Sequence, residues 1–66
     1  MWVVVYLTSV KEEAKRVRES LAKEGVLAEI KARHPASDGE PKDYEIVVPA
    51  GEGKEAQQII AEWMLR

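Results

Sequence analysis

The feature that most constrains this chain is an unbroken apolar run, Trp-Val-Val-Val-Tyr-Leu at positions 2–7, in a sequence of only 66 residues. β-Branched and aromatic residues favour a strand, and the lack of alternation with polar residues predicts one that is apolar on both faces. A chain this short buries only about 60% of its unfolded surface, and its core rarely supplies more than roughly 3–5 kcal/mol of net stability. Without cysteine for a disulfide, we expect oligomerisation to add the rest.

A helix is predicted directly after this first strand. Apolar residues recur there at helical spacing and form one stripe: Val10, Ala14, Val17 and Leu21. Ser9 and Glu12 have the spacing of a capping box, which predicts that Ser9 caps the start of the helix. Gly25 suits the left-handed residue that follows a helix end. The sequence therefore indicates a helix between Ser9 and Gly25.

Two more strands and a second helix complete the predicted order. Apolar and polar residues alternate over 26–33 and again over 44–48, where Pro49 ends the run. Between them, 34–43 contains two prolines, a glycine and a serine, and this composition predicts a loop. A last stripe at helical spacing predicts a helix whose apolar side chains belong to the core: Ala56, Ile59, Ile60, Trp63 and Met64.

The order strand, helix, strand, strand, helix predicts an α+β fold in a single domain over residues 1–66. A right-handed crossover joins the first two strands, and a hairpin joins the last two. If the third strand lies between the others, all neighbours are antiparallel and both helices cover one face. That arrangement is the ferredoxin-like sandwich lacking its last strand (βαββα). The alternative, which we favour less, places the first two strands side by side and parallel.

Two helices cover only one face of such a sheet, so the other face is predicted to expose apolar side chains. The first strand alternates between the faces, with Trp2, Val4 and Tyr6 on one side and Val3, Val5 and Leu7 on the other. Leu27 and Val47 are expected on the outer face, and with the first set they form the candidate partner-binding surface. The first strand is also predicted to be an unprotected edge. We predict a homodimer through the sheet face, this edge or both; alternatively, the last helix or a loop covers part of the surface.

Composition excludes several classes of function. The chain has no cysteine, one histidine and a formal charge of −2, with 45% hydrophobic residues, which is typical of a folded protein. No thiolate is present to hold zinc or an iron–sulfur cluster. No run of about 18 apolar residues predicts a membrane span, and the start lacks the charged region of a signal peptide. We therefore expect a cytoplasmic protein with no membrane partner.

His34 is followed in the same loop by Ser37, Asp38 and Glu40. A serine–histidine–aspartate triad needs a rigid scaffold and an oxyanion hole, which a proline-flanked loop does not provide. One imidazole with loop carboxylates also matches no standard metal-ligand spacing. We therefore predict no catalytic residue, no metal site and no cofactor.

Two groups of residues are candidates for binding anions. Arg33, His34 and Lys42 bracket the loop and are candidates for an anionic ligand or partner. Between the third strand and the last helix, the free amides of the helix start leave an anion site open at Gly51, Gly53 and Lys54. The surrounding sequence lacks the Walker pattern of a phosphate-binding loop.

The basic residues of the first helix alternate with glutamates and have no aromatic neighbours for base stacking, so nucleic acid is not an expected partner.

Three parts of the sequence resemble a known family. They are Met-Trp-x-Val-Val-Tyr at the start, Lys-Glu-Gly-Val-Leu-Ala-Glu-Ile at 23–30, and Tyr-Glu-Ile-Val-Val-Pro followed by Lys-Glu-Ala-Gln-Gln-Ile-Ile at 44–60. Together they are similar to small bacterial proteins described as signal-transducing, a domain of unknown function grouped with the PII (GlnB-like) nitrogen regulators. The resemblance implies a ferredoxin-like fold and brings no catalytic motif. The nucleotide and 2-oxoglutarate sites of PII proteins do not carry over, because this chain is far shorter.

These features together predict a non-enzymatic regulatory or protein-interaction module, with signal transduction implied by the resemblance. It would present the loop and the sheet face to a protein partner. The alternative is a small-ligand sensor that binds a metabolite or anion at a dimer interface or at the helix start after Pro49. We do not expect an enzyme, because no paired acid and base lie on rigid elements.

Overall fold

The computed structural model describes residues 1–34 and 39–66. Its elements are strand β1 (Trp2–Thr8), helix α1 (Lys11–Lys23), strand β2 (Glu29–Arg33), strand β3 (Asp43–Pro49), a short 3₁₀ helix (Ala50–Glu52) and helix α2 (Gly53–Met64). The strands form one sheet in the order β1-β3-β2, and both neighbouring pairs are antiparallel. The predicted α+β fold, a ferredoxin-like arrangement without its last strand, is confirmed. The alternative with β1 beside β2 is wrong.

The core lies between the two helices and one face of the sheet. Its buried side chains come from both helices, from the segment after α1 and from the central strand: Ala14, Val17, Leu21, Val26, Ile46, Val48, Ala56 and Ile60. Burying one aliphatic side chain of this size contributes about 1.5–3 kcal/mol, so this side of the sheet supplies most of the hydrophobic stabilisation. No helix in the described parts of the chain is both long and apolar enough to cross a membrane.

A β-bulge in β1 changes which side chains face the helices. β1 pairs regularly with β3 as far as Val4, opposite Val47, and the pairing resumes at Tyr6, opposite Ile46. Val5 is therefore an extra residue, and the alternation of side chains shifts by one position after it.

The bulge corrects one prediction about the outer face. Val5 and Tyr6 both pack against the core, whereas Trp2, Val4 and Leu7 lie on the opposite side and are 42%, 50% and 50% exposed. The expectation that Tyr6 shares a face with Trp2 and Val4 is wrong. Leu7 takes its place on the outer face, so three large apolar side chains of β1 still face away from the helices.

Helix α1 begins one residue later than the predicted capping box implies. Val10, in an extended conformation, is the N-cap residue, and no side chain makes a capping hydrogen bond. The backbone N–H of Val10 instead donates to Thr8 Oγ1 at 3.1 Å. The cap predicted at Ser9 is therefore wrong, because the hydroxyl of the buried Thr8 fixes the entry to the helix.

The predicted end of α1 is confirmed. Gly25 has a φ of 84°, its N–H donates to Ala22 O, and the N–H of Val26 donates to Leu21 O. These two bonds form a Schellman motif, in which a glycine takes the left-handed conformation without strain. Val26 thus belongs to the end of the helix, and β2, which begins at Glu29, is shorter than the predicted run over 26–33.

The connection from β3 to α2 is held by a backbone bond and by close packing. The N–H of Ala50 donates to Met1 O at 2.8 Å, which ties the 3₁₀ helix to the start of β1. A Cβ atom at Gly53 would lie 3.3 Å from Val3 Cγ2. The missing side chain therefore allows α2 to begin directly against β1, earlier than its apolar stripe alone predicts.

Candidate functional site

The side of the sheet opposite the helices is here called the open face. The strand registers and the alternation within each strand place the following residues on it or at its margin: Trp2, Val4, Leu7, Leu27, Glu29, Lys31, Arg33, Asp43, Glu45, Val47 and Pro49. Most apolar members lie toward one end of the strands and most charged members toward the other, but Leu7 lies opposite Glu45 and Glu29 lies opposite Val47. The face is thus divided into an apolar half and a charged half.

The apolar half is built around Val47 of the central strand. Val47 is paired with Val4 on one side and with Glu29 on the other. It is only 4% exposed, although it does not belong to the core cluster beneath the helices. Around it, Trp2 and Leu27 remain 42% and 62% exposed. The neighbouring strands therefore shield Val47 laterally, while the larger apolar side chains around it stay accessible.

The charged half is organised by Arg33. Its Nε lies 3.4 Å from Asp43 Oδ1 and 3.7 Å from Glu45 Oε2, both on the adjacent strand. Asp43 Oδ1 is buried and accepts no hydrogen bond within the described residues, so the nearby guanidinium is what compensates its charge. Lys31 is paired with Glu45 in the sheet. This half of the face therefore has basic side chains on β2 directly beside acidic side chains on β3.

The candidate residues at the base of the loop are placed together but are not equivalent. The backbone N–H of Lys42 donates to Arg33 O at 2.7 Å, which closes the base of the loop. Arg33, His34 and Lys42 are all exposed. Arg33 already pairs with two carboxylates, whereas His34 and Lys42 form no ion pair within the part of the chain that the structure describes. Two others considered for chemistry here, Ser37 and Asp38, lie outside the described residues.

The structure gives little support to the candidate anion site after Pro49. Gly53 packs against β1, and Gly51 and Lys54 lie at the surface. The carboxylate of Glu52 stands at the start of α2, and its Oε1 is buried without a hydrogen bond among the described residues. A buried carboxylate at this position opposes the approach of an anion. Within residues 1–34 and 39–66, no cluster of three or more His, Asp or Glu side chains could hold a metal ion.

A second surface feature, on the helix side, was not predicted from the sequence. A hollow of about 470 Å³ lies beside β1 and the two helices, and its lining is Tyr6, Glu13, Arg16, Trp63, Met64 and Arg66. We call it the helix-side hollow. The stripe at helical spacing did identify Trp63 and Met64, but it indicated the core. Trp63 packs against the core and also lines the hollow.

Tyr6 is held in the helix-side hollow by two contacts. Its hydroxyl donates to Glu13 Oε1 at 3.1 Å, and its ring stands edge-on to Trp63, with centroids 6.3 Å apart and planes at 87°. Burial raises the pKa of Tyr6, and the hydrogen bond to Glu13 and its negative charge raise it further. The two rings therefore form a fixed aromatic corner whose hydroxyl stays protonated at neutral pH.

In comparisons with known proteins, no family model, no curated protein and no solved structure matches this chain. The resemblance to the bacterial signal-transducing proteins therefore remains a prediction from the sequence.

Proposed function

We propose that this chain is a non-enzymatic interaction module that forms a homodimer through its open face and presents the loop at 34–43 to a protein partner. The observation that carries the proposal is the exposure of Trp2, Val4 and Leu27 around one sheet face that neither helix covers. Contiguous apolar surface rimmed by charged residues is typical of protein–protein contacts.

The charges of the open face favour a second copy over a partner of one sign. A twofold interface brings the same patch of both chains together, so the patch must be self-complementary. Both signs of charge lie side by side on this face: Glu29, Lys31 and Arg33 on β2, and Asp43 and Glu45 on β3. Such a pattern allows Lys31 of one chain to face an acidic residue of the other. A face with charges of only one sign would repel itself.

The bulge favours the open face over the edge of β1 as the contact. At Val5 the regular spacing of backbone groups is interrupted, and a bulge also increases the local twist. Bulges are among the features that prevent strands from pairing edge to edge. Of the two modes predicted from the sequence, the proposal therefore uses the face.

The regulatory part of the proposal rests on the resemblance to bacterial signal-transducing proteins, and so does a cytoplasmic location. In the dimer, His34 and Lys42 at the base of the loop would remain exposed and free to contact an acidic surface of the partner. Arg33 contributes less to such a contact, because its charge is already paired with Asp43 and Glu45.

Sedimentation equilibrium over the micromolar range tests the dimer. Val4→Lys places a charge in the apolar half, beside Val47, and should give a monomer. Val10→Lys is the matched control, because Val10 is equally exposed, at 53%, but precedes α1 and lies away from the open face. It should leave the dimer intact, and circular dichroism should show both variants folded. A monomeric wild-type chain, or a dimer that persists in Val4→Lys, would overturn the proposal.

A further inference from the structure

We propose that the helix-side hollow is a binding site for a small molecule that combines a flat apolar ring with an anionic group. The site is separate from the open face and does not depend on the dimer. Its walls are Tyr6, Trp63 and Met64, and its charged rim consists of Arg16, Arg66 and Glu13. The bulge at Val5 creates it, because the bulge turns Tyr6 toward the helices.

The walls are suited to a ring. Tyr6 and Trp63 stand perpendicular to each other, so a flat molecule can stack on one ring and meet the edge of the other. Trp63 is anchored on the core, and the hydroxyl of Tyr6 is anchored on Glu13. Met64 is unbranched and 62% exposed, so it can adapt to ring systems of different shape. Two walls are therefore preformed, which lowers the entropic cost of binding.

The charges around the hollow select an anion. Arg16 and Arg66 provide two positive charges, against the single negative charge of Glu13. Neither guanidinium forms an ion pair within the described residues, whereas the Glu13 carboxylate already accepts the Tyr6 hydroxyl. A guanidinium binds a carboxylate through two parallel hydrogen bonds and also stacks on aromatic rings. The ring of such a ligand can therefore stack on an aromatic side chain, and its anionic group can pair with a guanidinium.

The size of the hollow limits the ligand to a small molecule. It is a shallow surface concavity of about 470 Å³ that is largely open to solvent, so it can hold one face of a small molecule. A fused two-ring carboxylate is of suitable size. This location differs from both sites considered from the sequence for a ligand sensor, the dimer interface and the turn after Pro49.

Titration of the ¹⁵N-labelled protein with 2-naphthoate tests the site. The two tryptophans lie on opposite sides of the sheet, so their indole N–H signals report separately on the two surfaces. We expect a saturable shift of the Trp63 signal at sub-millimolar ligand, with the Trp2 signal unchanged. 2-Naphthylmethanol, the neutral analogue, should bind at least tenfold more weakly. Equal binding of both molecules, shifts centred on Trp2, or no saturable shift would overturn the proposal.

Arg16→Gln tests the anion contact directly. Arg16 is exposed on α1, so the substitution should leave the fold intact. It should weaken 2-naphthoate about tenfold, which corresponds to one charge-assisted contact, and leave the weak binding of the alcohol unchanged. Arg18→Gln removes the same charge from the same helix at an exposed residue outside the hollow, and it should bind like the wild type. Unchanged 2-naphthoate binding in Arg16→Gln would overturn the proposal.

Discussion

Val47 and Val48 are neighbours on the central strand, and both are nearly inaccessible, yet they are buried in different ways. Val48 is 0% exposed and belongs to the core cluster beneath the helices. Val47 is 4% exposed on the open face, where the side chains of the two adjacent strands crowd it and no helix lies above it. Low exposure therefore has a different cause on each face. Val48 is inaccessible because it is packed in the core, whereas Val47 is inaccessible only because the neighbouring strands cover its sides.

The difference assigns the two faces different roles. The helix side supplies the cohesion of the single chain, because apolar side chains from the sheet and both helices meet there. The open face adds little cohesion to a single chain, because its large apolar side chains remain in contact with water. The open face can add stability only when something covers it. The effects of substitutions on the free energy of unfolding should therefore differ between the two faces, both in size and in their dependence on protein concentration.

Two leucines provide the largest expected contrast. Leu21 is fully buried beneath the sheet, and Leu27 is 62% exposed at the margin of the open face. Leu21→Ala should lower the free energy of unfolding by about 2–5 kcal/mol, which is enough to unfold much of a chain this small. Leu27→Ala should change it by less than about 0.5 kcal/mol in the monomer. Urea denaturation at low protein concentration measures both free-energy changes. Similar values for the two leucines would contradict the assignment of the core.

The neighbouring valines provide a contrast of intermediate size. Threonine has nearly the shape of valine, so Val→Thr introduces a hydroxyl without opening a cavity. Val48→Thr should cost about 1–3 kcal/mol, because the hydroxyl is enclosed by the core. Val47→Thr should cost less than about 1 kcal/mol in the monomer, because the hydroxyl can reach water above the open face.

The concentration dependence of the Val47→Thr effect then sharpens the comparison. If a second copy covers the open face, the cost should grow as the protein concentration rises through the dissociation constant. The cost of Val48→Thr should stay the same throughout. Equal costs for the two substitutions at the lowest concentration would mean that the open face is as enclosed as the helix side.

Much of the fold could be predicted because its signals are local. The alternation over 44–48 and the two helical stripes each identify an element from a few neighbouring residues. The end of α1 at Gly25 could be predicted for the same reason, since a φ of 84° favours glycine. An uncovered sheet face also followed from the count of helices and strands.

The details that define the two surfaces depend on pairing between distant residues. Six consecutive apolar residues in β1 fit either face of the sheet, so nothing local marks Val5 as the extra one. The ion pairs of Arg33 with Asp43 and Glu45 depend on the register between β2 and β3. The helix-side hollow could not be predicted for the same reason. It forms only because the bulge turns Tyr6 toward the helices, where Trp63 lies at the margin of the core.

Tyr6→Phe tests which side of the sheet Tyr6 occupies, with the smallest expected effect. The substitution removes the hydroxyl that donates to Glu13 and keeps the ring beside Trp63. At neutral pH it should lower the free energy of unfolding by about 0.5–1.5 kcal/mol, the usual contribution of one hydrogen bond. If Tyr6 lay on the open face, as simple alternation predicts, the hydroxyl would contact water and the substitution would have almost no effect.

The pH dependence of this difference separates the hydrogen bond from a general loss of packing. Burial first, and then the hydrogen bond and negative charge of Glu13, hold the pKa of Tyr6 above its usual value of 10.0 in the folded protein. As the pH rises above about 10, the unfolded chain loses the Tyr6 proton while the folded chain still holds it, so ionisation favours unfolding. The stability that Tyr6 contributes is therefore complete below this pH and decreases as the pH rises toward the pKa of the folded protein. Denaturation of both proteins should show the advantage of the wild type over Tyr6→Phe shrinking in this range. A difference that does not change with pH would contradict the raised pKa of Tyr6 and its hydrogen bond to Glu13 in the folded protein.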